Sequence, residues 1–214
     1  MKRTPPALPP ELDCVEDFPA CCAAAREEER SLTALSVSGL SLPGADFSKL
    51  DFRGVLFEHC RFSDASFHKS DFLDVVFKSC DLSNCDMSEC YFNRCTLSAC
   101  KGVGANWKDT LLRSVLLEGC NLQYANLYAA KLRECDLTQT DLSNTNIVEA
   151  KLTQLTLHTV KLTGASLFQT PLKGLDLTDC VLDGITVAGS ELRGATVTLF
   201  QAADLARLLG LIVK

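Results

Sequence analysis

Apolar residues recur at every fifth position of this chain from Leu42 to Val197, without a change of phase. A helix repeats every 3.6 residues and a flat strand every two, so a period of five fits neither. A five-residue period over this length indicates a solenoid, in which each short segment turns a corner and the next one repeats it. Only Gly102 leaves the central position without an apolar side chain.

A second column of residues lies two positions before each centre. Its members are small or medium-sized and mostly apolar, from Ala45 and Val55 to Ala195. Asp or Asn is favoured between the two columns, and Ser, Thr or Arg after the centre. The pattern is therefore a small residue, Asp or Asn, Leu or Phe, Ser or Thr, and a variable fifth position.

Residues 45–49 (ADFSK) and 125–127 (ANL) carry this pattern, and the chain resembles pentapeptide-repeat proteins over most of its length. The resemblance implies an all-β solenoid, a right-handed quadrilateral β-helix. Four pentapeptides form the sides of one coil, and the two apolar columns point inward. The repeats make about eight coils, and stacking them at the strand spacing of about 4.8 Å gives a rod of roughly 40 Å. The ends of such a column need caps, and we expect short helices at both.

Composition divides the chain into three parts. Residues 1–34 form an N-terminal extension and cap, in which residues 21–30 predict a short helix. Residues 35–198 form the repeat solenoid, although Leu32 is already in phase with it. Residues 199–214 form a C-terminal helix and an apolar tail, and Gly210 ends the helix.

The C-terminal end carries more apolar side chains than one coil can cover. They either plug the last coil alone or also join two chains about a two-fold axis, and we favour the second. Pentapeptide-repeat proteins with such a terminal helix commonly form dimers there, so the resemblance also implies a homodimer. The candidate dimer interface is Phe200, Leu205, Leu208, Leu209, Leu211 and Ile212.

The predicted sides of the solenoid differ in charge. On the side centred on Phe57, Phe77 and Leu97, acids outnumber bases, whereas bases prevail on the side centred on Phe52, Phe72 and Phe92. The acidic side also places three apolar residues in line at outward positions, which suggests a contact surface. Alternatively, the N-terminal segment folds back and covers them. The candidate partner face is Leu56, Glu58, Val76, Leu116, Glu118, Asp136 and Asp176.

Nine of the twelve cysteines fall in the small inward column, and four of them, Cys60 to Cys120, are spaced by twenty residues. A metal or redox ladder is one interpretation. Burial as small hydrophobic side chains is the better one, because a straight row of parallel thiols does not converge on a metal. We therefore expect no metal site and no cofactor.

The sequence contains no catalytic constellation. His59, His68 and His158 are far apart at outward positions, and no nucleophile–base pair or glycine-rich phosphate loop is evident. We predict that the protein is not an enzyme.

Charge and hydropathy restrict the partners further. The formal net charge of −6 argues against direct nucleic-acid binding. No run of eighteen apolar residues could cross a membrane, and the N-terminus lacks the apolar region of a secretory signal. We expect a cytoplasmic protein.

Two functions remain open. The chain is similar to the Qnr-type, quinolone-resistance branch of the family in its unbroken register and in its C-terminal end, LRGA at 192–195 and LLG at 208–210. That branch forms acidic dimeric rods that resemble B-form DNA and engage DNA gyrase and topoisomerase IV. The resemblance thus implies a DNA mimic that modulates a type II topoisomerase or protects it from quinolones. The alternative is a protein-binding scaffold for an unrelated partner.

Overall fold

The chain folds as a four-sided parallel β-solenoid, as the sequence predicts. The computed structural model describes residues 3–208 and 210–213. Two adjacent sides of each coil are short strands, and the other two are tight turns joined to the next coil by single bridges. The elements are β1 (Asp13–Cys14), α1 (Phe18–Glu27), β2 (Leu32–Thr33), β3 (Leu35–Ser38), β4 (Asp51–Arg53), β5 (Leu56–Glu58), β6 (Asp71–Leu73), β7 (Val76–Lys78), β8 (Tyr91–Asn93), β9 (Thr96–Ser98), β10 (Leu111–Arg113), β11 (Leu116–Glu118), β12 (Lys131–Arg133), β13 (Asp136–Thr138), β14 (Lys151–Thr153), β15 (Thr156–His158) and α2 (Leu199–Leu208).

The strands stack into two parallel sheets with a register of twenty residues. The odd sheet contains β1 to β15 in odd-numbered order, and the even sheet contains β2 to β14 in even-numbered order. Leu112 thus pairs with Phe92 on one side and Leu132 on the other. The seven strands of the even sheet mark seven coils, and the coil of residues 171–190 follows without strands. This agrees with the expected number of coils.

Each side alternates outward, inward and outward residues. In β12, Leu132 is buried while Lys131 and Arg133 are exposed. A residue in the left-handed region then turns the corner, as Asp74 does with φ of 57°. On the tight-turn sides a hydrogen bond from the Ala65 amide to the Phe62 carbonyl, 2.9 Å long, closes the turn.

The Asp or Asn preference has a direct structural reason on one tight-turn side. The side-chain amide of Asn106 donates to Asp86 at 3.0 Å, and Asn126 donates to Asn106 at 3.2 Å. Asn146 continues this row with a 2.9 Å bond to Asn126. The short polar side chains thus link successive coils outside the core.

The core changes from aromatic to aliphatic along the rod. Phe72 stacks between Phe52 and Phe92, with ring centroids 5.0 Å and 4.4 Å away. Beyond Trp107 the inward column is almost entirely leucine. Leucines of successive coils there line an apolar cavity of about 40 Å³. The C-terminal half is therefore packed less completely than the N-terminal half.

Helix α1 closes the N-terminal end of the core. Asp17 caps it by accepting a hydrogen bond from the Ala20 amide at 3.0 Å, and Pro19 lies in the first turn. Helix α1 therefore begins at Phe18, three residues before the predicted start at residue 21. The fully buried ring of Phe18 packs 5.3 Å from the ring of Phe47.

Near the C-terminal end the two sheets stop while the solenoid continues. Strands β14 and β15 are the last of their sheets, and residues 171–180 form tight turns instead. Hydrogen bonds from the Leu175 amide to Leu172 and from the Cys180 amide to Leu177 mark the change. Pro171 also has no amide proton for a ladder bond. The coil that carries β14 and β15 therefore differs in shape from the coil that follows it. We call the gap between these two coils, on the two sides that the sheets occupy elsewhere, the side opening.

The side opening exposes part of the core. Leu152, Leu155 and Leu157 point inward but are only partly buried. Asp179 spans the gap, because its carboxylate accepts from the Thr159 amide at 3.1 Å and contacts the His158 ring nitrogen at 2.5 Å. The two tight-turn sides remain bridged here, so the coils separate on one half of the perimeter only.

Helix α2 covers the last coil. Thr198 and Gln201 bond reciprocally at its start, in the manner of a capping box. The Gln201 side chain also donates to the carbonyls of Leu177 and Cys180, each at 2.8 Å. Leu205 is buried against the coil. Short helices therefore close both ends, as predicted.

Candidate functional site

The predicted partner face lies on the outer surface of the odd sheet. Leu56 pairs in register with Val76, and Leu116 with Asp136. All three apolar residues are half-buried although they point away from the core. They form one row along the rod, but they are not freely exposed.

An N-terminal strap, residues 3–14, folds back along this part of the rod. It begins at Arg3, whose guanidinium lies 3.2 Å from the Asp136 carboxylate. The Ala7 amide donates to Asp74 at 3.0 Å, three coils nearer the N-terminal end. Strand β1 then pairs with β3 on the first coil. The fold-back considered for this segment is therefore present.

The four predicted acids of the face differ in their pairing. Lys78 binds Glu58 at 2.6 Å and lowers its pKa, while Arg3 pairs with Asp136. Glu118 and Asp176 take part in no ion pair within the described part of the chain. Hydrogen bonds from Thr178 lower the pKa of the Asp176 carboxyl. Asp176 lies beyond the side opening, so the structure does not bring all seven residues into one continuous patch.

A charged corner next to the odd sheet holds the strap, and sequence reasoning missed it. Arg94 makes two hydrogen bonds to Asp74, of 2.7 and 2.5 Å. Burial raises the pKa of Asp74, but the bonds from Arg94 and the Ala7 amide outweigh it and hold the pKa below the ordinary value. The twenty-residue spacing of Asp74 and Arg94 is the sequence signal that could have revealed this pair.

The predicted dimer residues at the C-terminal end divide into two groups. Leu205 packs on the core, whereas Phe200, Leu208, Leu211 and Ile212 are exposed. Leu209 lies outside the described residues. Leu199, the first residue of α2, is also exposed and was not among the predicted residues. These exposed side chains form an apolar terminal surface.

The inward cysteines are buried thiols, and all of them except Cys180 donate to backbone carbonyls. Cys85 donates to the Phe62 carbonyl at 2.8 Å, and Cys90 donates to Phe67 at 2.9 Å. Burial raises the pKa of both thiols to about 12, so they remain protonated at neutral pH. Within residues 3–208 and 210–213, no group of three or more His, Cys, Asp or Glu side chains could hold a metal ion.

Two of the three histidines make local contacts between coils. The ring of His68 bonds to the Ser88 hydroxyl at 2.9 Å, and His158 contacts Asp179 at the side opening. These two sites belong to different parts of the rod.

Comparison with known families decides the class of the chain. The family model for the pentapeptide repeat region matches residues 50–127, and the model for pentapeptide repeats, of eight copies, matches residues 120–158. The chain is a pentapeptide-repeat protein. Its repeats continue beyond the matched residues on both sides, because Leu42 and Val197 keep the same phase.

Solved structures of other pentapeptide-repeat proteins share this fold. One trypsin-treated variant of QnrB1, described as a plasmid-mediated fluoroquinolone resistance protein, aligns with a TM-score of 0.57 and 24% identity over 84% of this chain and 91% of that chain. A second trypsin-treated variant of QnrB1 aligns with a TM-score of 0.52 and 23% identity, over 85% of this chain and 91% of that chain. At this identity the likeness shows the fold alone. No curated protein sequence matches the chain.

The two helices of this pentapeptide-repeat protein are short caps. Among the described residues, neither α1 nor α2 is long and apolar enough to cross a bilayer.

Proposed function

We propose that this protein is a non-enzymatic DNA mimic that binds DNA gyrase or topoisomerase IV in the cytoplasm and protects it from quinolones. The observation that carries the proposal is the match to QnrB1 along most of both chains. The unbroken five-residue register and the acidic outer surface of the odd sheet support it. The partner face comprises Glu58, Glu118, Asp136 and Asp176 with the apolar row beside them.

The state of each acid indicates how the face would act. Glu118 and Asp176 are free to meet cationic side chains of an enzyme that ordinarily binds phosphates. Asp136 becomes available only when Arg3 leaves it. Binding that uses Asp136 therefore requires this end of the strap to move away from the face.

The test is DNA supercoiling by gyrase in the presence of a fluoroquinolone, with purified protein titrated in. We expect supercoiling to recover at sub-stoichiometric to micromolar protein. The double variant Glu118→Lys/Asp176→Lys should abolish recovery, since it reverses both free charges. No recovery by the wild type, together with no inhibition when the drug is absent, would refute the topoisomerase proposal.

A protein-binding scaffold for an unrelated partner is the second candidate. It is favoured by the half-buried apolar row of Leu56, Val76 and Leu116, and by the pairing of two of the four acids. The variant Leu116→Arg separates the candidates. It should remove apolar docking while leaving both free acids in place, so undiminished protection by this variant would exclude docking through Leu116.

We also propose a homodimer through the apolar terminal surface. Phe200 and Ile212 are 84% and 89% exposed, which is unusual for large apolar side chains in neighbouring segments. The variant Phe200→Ser/Ile212→Ser should sediment as a monomer where the wild type sediments as a dimer. Phe168→Ser, an exposed aromatic on the rod, is the matched control and should remain dimeric. A monomeric wild type at micromolar concentration would contradict the proposal.

A further inference from the structure

On the outer surface of the even sheet, cations outnumber their acidic partners in the C-terminal half. Lys131 pairs in register with Lys151, and Arg113 with Arg133. Like charges directly opposite each other on neighbouring strands are destabilising. Two such pairs in three consecutive strands therefore need an explanation beyond folding. The cationic strip continues past the side opening and comprises Arg113, Lys131, Arg133, Lys151, Lys173 and Arg193.

The acids on this side do not neutralise the strip. Glu191 is buried and accepts hydrogen bonds from the backbone amides of Gln169 and Ala188, at 2.9 and 3.1 Å. Glu134 is 12% exposed and lies 3.3 Å from Arg133 and 3.9 Å from Arg113. One carboxylate is thus shared by two guanidinium groups. Charge counting along the sequence misses this, because it treats buried and exposed acids alike.

The N-terminal half of the same side is neutral by comparison. Arg53 pairs with Asp51 at 2.8 Å, and Arg94 pairs with Asp74. In the C-terminal half, by contrast, Lys131 and Lys151 take part in no ion pair within the residues that the structure describes. The cations of this side are therefore free only at one end of the rod.

The spacing of the strip follows from the sheet. Neighbouring coils place equivalent cations about 4.8 Å apart, and the two outward positions of one strand are about 6.6 Å apart. The strip is accordingly straight and flat for about 10 Å over β10, β12 and β14, and Lys173 and Arg193 continue it beyond the side opening. Double-stranded nucleic acid offers one phosphate per about 1.7 Å of its axis, so this length supplies enough partners.

The composition of the strip favours phosphates over an acidic protein. Protein interfaces are depleted of Lys and depend on buried apolar anchors, and Leu111 is the one large apolar side chain on the outer face of β10, β12 and β14. Phosphate contacts need only cations, and the guanidinium fork of Arg binds phosphate bidentately. The strip also has no aromatic side chain on which single-stranded bases could stack.

We propose that the cationic strip binds the phosphodiester backbone of a nucleic-acid duplex without sequence preference. The net charge of −6 predicts no such binding for a uniformly charged molecule. The structure separates the charges by side and by half, so the strip acts as a local basic surface. This proposal does not rest on topoisomerase binding, which uses the outer surface of the other sheet.

The test is fluorescence anisotropy of a labelled 20-base-pair DNA duplex at a series of salt concentrations. With four to six phosphate contacts, we expect the logarithm of the binding constant to fall against log salt with a slope of about −4 to −5. Lys131→Gln/Lys151→Gln should make the slope shallower by about 2 and weaken binding at low salt at least about tenfold. Double-stranded RNA of the same length should bind similarly, and single-stranded DNA more weakly.

The matched control is Lys101→Gln/Lys161→Gln. These lysines hold equivalent outward positions on another side, but they lie 4.0 Å from Asp81 and 3.9 Å from Asp141. The control removes the same formal charge and should bind within about twofold of wild type. Equal losses in both variants, or no duplex binding at low salt, would overturn the proposal. Binding of polyglutamate without binding of duplex would also overturn it, in favour of an acidic protein.

Discussion

At Gly102 the inward column lacks a side chain because Leu122 of the next coil already occupies the space. A β-carbon at Gly102 would lie 2.7 Å from Leu122 Cδ2, well inside contact distance. The backbone hydrogen bonds between coils continue at this position, since the Gly102 amide donates to the Asn121 carbonyl at 2.7 Å. We expect Gly102→Ala to lower the free energy of unfolding by about 1–3 kcal/mol, as overpacking of a core does. Urea denaturation measures this.

A second variant distinguishes steric conflict from a loss of backbone flexibility. Leu122→Val shortens the side chain that meets the new methyl group. If the conflict is steric, the double variant with Gly102→Ala should be more stable than the sum of the two single changes indicates. Strict additivity would contradict this account of Gly102.

Individual inward residues could be predicted from the sequence because the period assigns each one a direction. The burial of Phe57, Cys85 and Leu132 follows from phase alone. The roles of Asp74 and Glu191 could not be predicted in this way. Both hold nominally outward or corner positions, and their burial depends on contacts with the strap and within the turn before α2, which the repeat pattern does not specify.

Among the elements, the strap is held by a few polar contacts whose strength depends on pH. The pKa of Asp74 lies below its ordinary value of 3.8 in the folded protein. Its ionised form therefore stabilises the strap above that value, and the contribution is lost as pH falls through the lower, folded pKa. We expect the Ala7 amide resonance to move upfield over this acidic range as its bond to Asp74 weakens.

NMR titration of a labelled chain checks this expectation. In Asp74→Asn the amide carbonyl oxygen can still accept from Ala7, but it does not titrate. The Ala7 shift should then be independent of pH in the same range. A titration that persists in Asp74→Asn would assign the effect to another carboxylate.

The elements were predictable to different degrees. The coils and both terminal helices follow from the five-residue period and from the composition of the ends. The side opening does not, because residues 151–158 and 171–178 both fit the repeat. The choice between strand and tight turn depends on stacking with the neighbouring coil, and Pro171 is the one local signal. For the candidate site, the sequence predicted a row and its acids but not the partners that neutralise two of them.

Along the whole molecule, both the packing of the core and the surface charge of the even sheet change from the N-terminal to the C-terminal half. Aromatic stacking fills the N-terminal half, whereas leucines leave a cavity in the C-terminal half. The free cations of the even sheet lie in the same C-terminal half. In a solenoid each coil contacts only its neighbours, so these differences persist locally and are not averaged over one shared core.

We expect the side opening to divide the rod into two cooperative units. Coupling between adjacent repeats sets how far an unfolding event spreads, and half of the backbone bonds at this junction are missing. In native-state hydrogen exchange, amides of residues 171–208 should open at a lower free energy than amides of residues 52–98. Equal opening energies would show a single unit. The proposed dimer end thus belongs to the part that we expect to unfold first. Pairing of two chains there would stabilise that part, and the stabilisation would increase with protein concentration.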